Sequence, residues 1–312
     1  MISLRHLTKQ YGTTTAVNDL SLDIAAGKVT GFLGPNGAGK STTMRMIMGL
    51  DRPTSGEARI NGKHYAELPY PLREVGALLD ARAVHPRRSA HAHLLSLARS
   101  NGIPRGRVDQ VLDEVGLTAV AGRHAGTFSL GMGQRLGIAA ALLGDPHTVI
   151  FDEPVNGLDP DGVRWVRSLA RSLAAEGRTV FVSSHLMSEM QLTADHLVII
   201  GRGELIADAA VDEVIERSST RCVVVRSPEP SALASLRDRL ADSGFRADAD
   251  GDGLRVLDAS PEQVGDLAHE LGVRLHELRD ETPSLEEAYL RLSSSSVEYS
   301  GAVPADQSRE GA

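Results

Sequence analysis

The chain has 312 residues, 41% of them hydrophobic, with a formal net charge of −8. The apolar fraction is enough for a buried core and excludes global disorder, and the length suits one large domain plus one small one. All of the acidic excess falls late: residues 1–220 carry 23 Lys+Arg and 23 Asp+Glu, residues 221–312 carry 10 and 18, and neither part has the broad basic run that nucleic-acid binding calls for.

The opening run "MISLRHLTKQYG" is charged early and lacks the apolar stretch of a signal peptide. "KVTGFLG" reads as a buried strand running into the glycine loop "GPNGAGKST", and "STTMRMIMGL" reads as the helix that follows. The loop fits G-x-x-x-x-G-K-[ST] with Gly34, Gly39, Lys40 and Ser41. Its glycines let backbone N–H groups turn inward on phosphates, Lys40 reaches the terminal oxygens, and the Ser41 hydroxyl is a hard donor for Mg²⁺. Lys40 is one of 4 lysines against 29 arginines, so a lysine there is not incidental to composition.

Residues 85–145 read mainly as helix, a helical insertion in a sheet domain. "HPRR" reads as a solvated loop, and His85, His91 and His93 have no Cys or acid at metal-ligand spacing. Within the insertion, "FSLGMGQRLGIAAALLGDP" opens an apolar helix with a Ser-x-Gly turn, a layout that holds an anion at a helix N-terminus. The longest uncharged apolar run, "LGIAAALLG", is far short of the ~20 residues that cross a bilayer. A second phosphate-type turn in one chain needs a reason.

"TVIFDEP" is a buried strand ending in two acids. Asp152 is placed to bind Mg²⁺, and Glu153, one residue further, to polarise an attacking water. "TVFVSSH" is another buried strand, ending at His185, and "HLVIIGRGELIADA" is a hairpin around Gly201-Arg202-Gly203. Strands alternating with helices over the first 200 residues predict a parallel sheet covered on both faces. The charge break beside "RSST" predicts a domain boundary near residue 220. Cys222, the single cysteine, excludes an internal disulfide, fits a reducing compartment and reads as a small buried hydrophobe in "RCVVVR". Beyond it the order is strand, helix, two strands, helix, strand, helix, a split βαβ module. The last twenty residues have the composition of a disordered tail.

The ordered set "GPNGAGKS", "SLGMGQRL", "VIFDEP", "NGLDP" and "VSSH" resembles the nucleotide-binding subunit of an ABC transporter over residues 1–215. The resemblance implies an α/β, ABC-type P-loop NTPase over 1–220, a mixed-sheet core with antiparallel β and helical subdomains. A small α+β, ferredoxin-like domain would follow over 221–292, then the tail 293–312. ATP and Mg²⁺ are the implied cofactors. ATP would lie on Gly34, Pro35, Asn36, Gly37, Ala38, Gly39, Lys40, Ser41 and Thr42, with Tyr11 stacked on adenine. Ser41 and Asp152 would hold the metal, Glu153 would be the base, and His185 would touch the γ-phosphate. The resemblance also resolves the second turn: Ser129 and Gly131 would cap the γ-phosphate held by another copy, so that a head-to-tail homodimer, or ATPase pair, buries two ATPs. Asp159 would contact that partner. Trp165 reads as packing.

Three positions depart from the family pattern. Asp80 stands where a glutamine usually contacts the metal, a place from which its carboxylate would offer Mg²⁺ a hard oxygen, and Leu130 and Met132 replace the commoner Gly and Gln of the signature. "DETPSLEEAYLRL" and "LLDARAVHPRRSAHAHL" resemble ATPases of drug- and antibiotic-resistance exporters of the daunorubicin-resistance type (ABC-2). Thr282 is the expected cap of the last helix, Pro283 its first turn, and Glu286 and Glu287 favour its positive end. The implied protein is a cytoplasmic ATPase, peripheral on the inner face of the cell membrane through a separate permease, moving drug, antibiotic or other hydrophobic cargo. No nucleic-acid partner is expected. The alternative is a nucleic-acid- or ribosome-associated ABC ATPase, a class marked by paired cassettes, long coiled-coil insertions or zinc modules.

Overall fold

In the computed structural model, which describes residues 1–218, 222–281 and 284–293, two β-sheets organise the unit Met1–Val211. The smaller sheet is antiparallel, with β1 (Ile2–Tyr11) in the centre, β2 (Thr14–Ile24) on one side and β4 (Ser55–Ile60) on the other. The larger sheet takes the order β5 (Val75–Leu78), β6 (Thr148–Phe151), β7 (Thr179–Ser184), β3 (Val29–Leu33), β8 (His196–Gly201), β9 (Glu204–Ala210). Its first five strands run parallel and only β9 is antiparallel. Every residue of β3, β6 and β7 is buried, as expected where helices cover both faces of a parallel sheet.

The helices follow chain order. After β3 comes α1 (Lys40–Ile47), and α2 (Pro71–Glu74) leads into β5. Between β5 and β6 lies the helical insertion: α3 (Ala90–Ser100), α4 (Arg105–Glu114) and α5 (Leu130–Leu142). The crossover from β6 to β7 is α6 (Pro160–Ala175), that from β7 to β8 is α7 (Met187–Thr193), and α8 (Val211–Ser218) follows β9. A continuous core joins the two sheets around α1 through Ile2, Leu4, Val17, Met44, Ile47, Ile150 and Val198. Phe32 and Phe181 meet in it at 5.0 Å between ring centroids. Trp165 on α6 packs under the Arg135 guanidinium of α5, 4.4 Å from the ring centre.

The β8–β9 turn reaches the phosphate loop. Arg202 and Gly203 both have positive φ, 51° and 82°, the backbone a tight hairpin demands. The Gly203 N–H donates to the Ala38 carbonyl at 3.1 Å, and the Gly203 carbonyl accepts from the Asn18 N–H at 2.8 Å. A Cβ on Gly203 would lie 2.8 Å from the Ala16 carbonyl oxygen, so only glycine lets the hairpin lean this closely on β2, whose Ala16 lines the phosphate cleft.

The second unit, Asp212–Leu292, runs β10 (Cys222–Arg226), α9 (Pro230–Asp242), β11 (Arg246–Asp250), β12 (Gly253–Leu257), α10 (Pro261–Glu270), β13 (Glu277–Glu281), α11 (Leu285–Ser293). Its antiparallel sheet has the order β11-β12-β10-β13, the split βαβ connectivity. It has its own core, built on Val223, Val225, Leu236, Val256 and Val264. The units divide between Val211 and Asp212, earlier than the charge break at residue 220, because most of α8 groups with the second unit and charge counting does not see it. The expected cap at Thr282 and first turn at Pro283 lie outside the described residues, as does the tail from residue 294. What caps α11 is the Ser284 hydroxyl, which accepts from the Glu287 N–H at 3.2 Å. Among the described residues no helix is long and apolar enough to cross a membrane.

Candidate functional site

The loop between β3 and α1 is shaped by its glycines. Gly39 has φ +104°, and a Cβ there would meet the Ala16 carbonyl oxygen at 2.4 Å, so no other residue fits. The loop lines a cleft of about 200 Å³ together with Ala16 and Glu153, and residues 35–42 all face it. Lys40 is 6% exposed. Its ammonium donates to the Gly34 carbonyl at 2.6 Å and the Pro35 carbonyl at 3.3 Å, and lies 3.8 Å from Glu153 Oε1. Burial pushes its pKa down, and the nearby charges of Glu153 and then Asp152 push back.

The two acids stand at the end of β6. The Asp152 N–H donates to the Leu78 carbonyl at 2.8 Å, tying the acid pair to the end of β5. One hydroxyl on β7 then orders both acids: Ser183 Oγ donates to Asp152 Oδ1 at 2.5 Å and accepts from the Glu153 N–H at 2.9 Å. Glu153 has φ +48°, left-handed backbone that a long side chain adopts only when its surroundings impose it. His185 Nδ1 lies 2.8 Å from Glu153 Oε2; because a carboxylate only accepts, the ring nitrogen is the donor. Lys40, Asp152, Glu153 and His185 therefore converge at the carboxyl ends of the adjacent strands β6, β7 and β3, where open α/β sheets bind ligands. Ser183 sits inside "VSSH", where the motif carries no mark of this role.

The Ser-x-Gly turn lies elsewhere. Ser129 caps α5, its hydroxyl accepting from the Met132 N–H at 3.2 Å. With Leu130 it borders a separate hollow of about 350 Å³ beside Ala81, Arg82, Val84 and Pro86, which has no lining residue in common with the phosphate cleft. Gly131 backs onto Leu158, whose Cδ2 would lie 3.1 Å from a Cβ there. Asp159 caps α6, accepting from the Gly162 N–H at 2.8 Å, with Pro160 in the first turn.

Tyr11 ends β1, half exposed at 49%. Its hydroxyl donates to Asp51 Oδ2 at 3.0 Å, Arg45 Nε holds the same oxygen at 2.7 Å, and the Lys9 ammonium sits 4.8 Å over the ring. One ring face is thus occupied by a cation. Asp80, just past β5, accepts from the Arg82 N–H at 2.8 Å and is outside the lining of the phosphate cleft. The three upstream histidines do not converge: His85 Nδ1 accepts from the Arg87 N–H at 3.2 Å, and His91 faces Asp109 at 3.5 Å. Among the described residues no cluster of three or more His, Cys, Asp or Glu could hold a metal ion. Cys222 is buried, donates to Glu281 Oε2 at 3.1 Å, and is pushed up to about 11 by burial and then by Glu281, an inert thiol at neutral pH.

Residues 17–156 match the family model described as ABC transporter, and residues 221–286 match one described as a domain of unknown function. The chain is 36% identical over 297 residues to the bacitracin transport ATP-binding protein BcrA of Bacillus licheniformis, covering 94% of this chain and 97% of the relative. It is 33% identical over 301 residues to the Nod factor export ATP-binding protein I of Burkholderia orbicola, covering 94% and 96%. A solved dimeric ATP-binding cassette in a post-hydrolysis state, bound to ADP and Pi, aligns with TM-score 0.62 and 25% identity over 68% of this chain and 99% of that one. Similarity along nearly the full length of such relatives, on a sheet whose adjacent strand ends carry the motifs, makes this chain an ATPase and a member of the ABC transporter ATP-binding protein family.

Proposed function

We propose that the chain is the ATP-hydrolysing subunit of an exporter, that two copies close head-to-tail on two ATP molecules, and that a separate membrane permease carries the cargo. The observation that carries the pairing is the separation of two half-sites. Lys40 and Glu153 line the phosphate cleft, while the Ser129 turn borders a hollow with no residue in common with it. A second copy, reversed, supplies the missing turn. Transport and export names among the relatives favour this reading over a nucleic-acid-associated ATPase. They also favour an antibiotic or another hydrophobic compound as cargo. The ATPase would sit peripherally on the inner face of the membrane, held by the permease. The acidic second unit, 221–292 by composition, would regulate or support the dimer.

Each residue has a role in this scheme. The loop residues 34–42, through their backbone N–H groups except at Pro35, which has none, and Lys40 bind the phosphates, and Tyr11 offers adenine the ring face that Lys9 does not cover. Hard oxygens from Ser41, which lines the cleft, and from Asp152, whose Oδ1 is engaged by Ser183 and whose Oδ2 remains, fit a Mg²⁺ ion. When bound, that ion neutralises charge on the β- and γ-phosphates. Asp80 lies outside the lining of the cleft and would add an oxygen only by moving toward it. Glu153 takes a proton from the attacking water, and His185 keeps its carboxylate turned to do so. Ser129 and Gly131 meet the γ-phosphate of the opposite copy. The deciding experiment is Glu153→Gln with ATP and Mg²⁺. Turnover should fall by about a hundredfold or more, ATP affinity should persist, and a dimer should accumulate on size-exclusion chromatography. A monomer of this variant hydrolysing ATP at the wild-type rate would overturn the proposal.

A further inference from the structure

Gln134 lies on α5, downstream of Ser129, and is 6% exposed. Its side-chain Nε2 donates to two backbone carbonyls outside its own helix, that of Glu153 at 3.3 Å and that of Asn156 at 3.4 Å. The amide can face only one way: turned over, its oxygen would meet two carbonyl oxygens with no proton between them. Its Oε1 is buried with no protein partner among the described residues. The two carbonyls are therefore what this polar side chain is buried for.

The carbonyl it holds belongs to a residue whose backbone needs holding. Glu153, at φ +48°, is gripped at its N–H by Ser183 at 2.9 Å and at its carbonyl by Gln134 and by the Asn156 N–H at 3.2 Å. Ser183 and Asn156 belong to β7 and to the turn itself. Gln134 alone among these three brings in α5, the helix that begins at the signature turn.

We propose that Gln134 is a positioning residue that links the Ser129 turn to the backbone of Glu153, so that the ATP touching one half-site is felt by the base of the other. The inference rests on the head-to-tail dimer above, in which Ser129 meets the partner's nucleotide and Glu153 acts on its own. A displacement of α5 against that nucleotide moves Nε2, and Nε2 moves the carbonyl next to the Glu153 Cα. Both bonds lie at the long end for N–H···O contacts, which leaves the bridge room to tighten as the dimer closes. A base works only within hydrogen-bond reach of its water, so a small tilt at this Cα switches it. Hydrolysis at the two sites then becomes cooperative.

The test uses the full chain and compares wild type with Gln134→Met, which keeps length and loses the donor. Steady-state ATPase against ATP concentration should give a Hill coefficient approaching about 2 for the wild type. Gln134→Met should bring it to about 1 and lower kcat about tenfold, while single-copy ATP affinity and dimer trapping in a Glu153→Gln background persist. Should Gln134→Met fold poorly, Gln134→Glu serves instead, since its carboxyl donates only when protonated. Its Hill coefficient should recover as pH falls, relative to wild type at each pH, a response that a mere packing role would not produce. A Gln134→Met enzyme with wild-type cooperativity and kcat overturns the inference, as does a Gln134→Glu enzyme whose Hill coefficient stays at about 1 at low pH, where its carboxyl is protonated and can donate. A wild type that dimerises but shows a Hill coefficient of 1 overturns the coupling alone, whereas failure of Glu153→Gln to form any dimer defeats the pairing itself.

Discussion

Ser183 applies one hydroxyl to two acids, donating to Asp152 and accepting from the N–H of Glu153. Ser183→Ala leaves that N–H without its partner and frees the Asp152 carboxylate to turn, at a cost to stability of about 1–3 kcal/mol. Turnover should drop by roughly ten- to a hundredfold with ATP affinity nearly intact, measured by steady-state kinetics beside a nucleotide titration. A loss of affinity equal to the loss of turnover would place Ser183 with the phosphate binders instead. The role of this serine was not legible in the sequence. A small polar residue in a buried strand carries no mark of what it faces; that is fixed by the β6–β7 register, which sets Phe151 against Val182. Lys40 is the opposite case, a lysine standing out in an arginine-rich chain between residues whose spacing has one chemical use.

At the scale of the element, α5 has two employments for one hydroxyl. Ser129 caps the helix by accepting from the Met132 N–H, and in the proposed dimer it faces a phosphate. Ser129→Asp separates the two, because aspartate caps a helix as well as serine does and favours the positive end of the dipole, yet repels a triphosphate. Thermal unfolding should stay within about 0.5 kcal/mol of wild type, while the dimer trapped in the Glu153→Gln background disappears on size-exclusion chromatography. Retention of that dimer would remove Ser129 from the interface. Elements of the larger sheet were readable because parallel strands covered on both faces appear as unbroken apolar runs, as "TVIF" and "TVFVSS" do. The strands of the antiparallel sheet are not legible one by one in the sequence: β1 and β2 are half exposed, and bulges shift their register between Leu4 and Leu7 and again near Lys9, breaking the alternation that would reveal them. Asp80 could be placed at a strand end from sequence, but not the turn in which the Arg82 N–H engages its carboxylate.

On the scale of the whole molecule, two units have separate cores, and every residue lining the phosphate cleft lies in the first. A chain ended at residue 220 should therefore bind ATP as the full chain does, within about a factor of three, by nucleotide titration. Its ATP-dependent dimerisation or its ATPase rate should change if the acidic unit regulates pairing. Dimerisation, turnover and transport all unaltered by the deletion would leave that unit without the proposed role.

The hairpin at the sheet edge has a bearing on how such an enzyme is tuned. A loop rich in glycine has little stiffness of its own, and Gly203 ties this one down through the Ala38 carbonyl while lying close against Ala16 of β2. The grip on a nucleotide should thus be open to loosening or firming by altering a bend that lies outside the lining of the phosphate cleft. Adjustment of affinity is available at the periphery, without disturbing a single group that performs the chemistry.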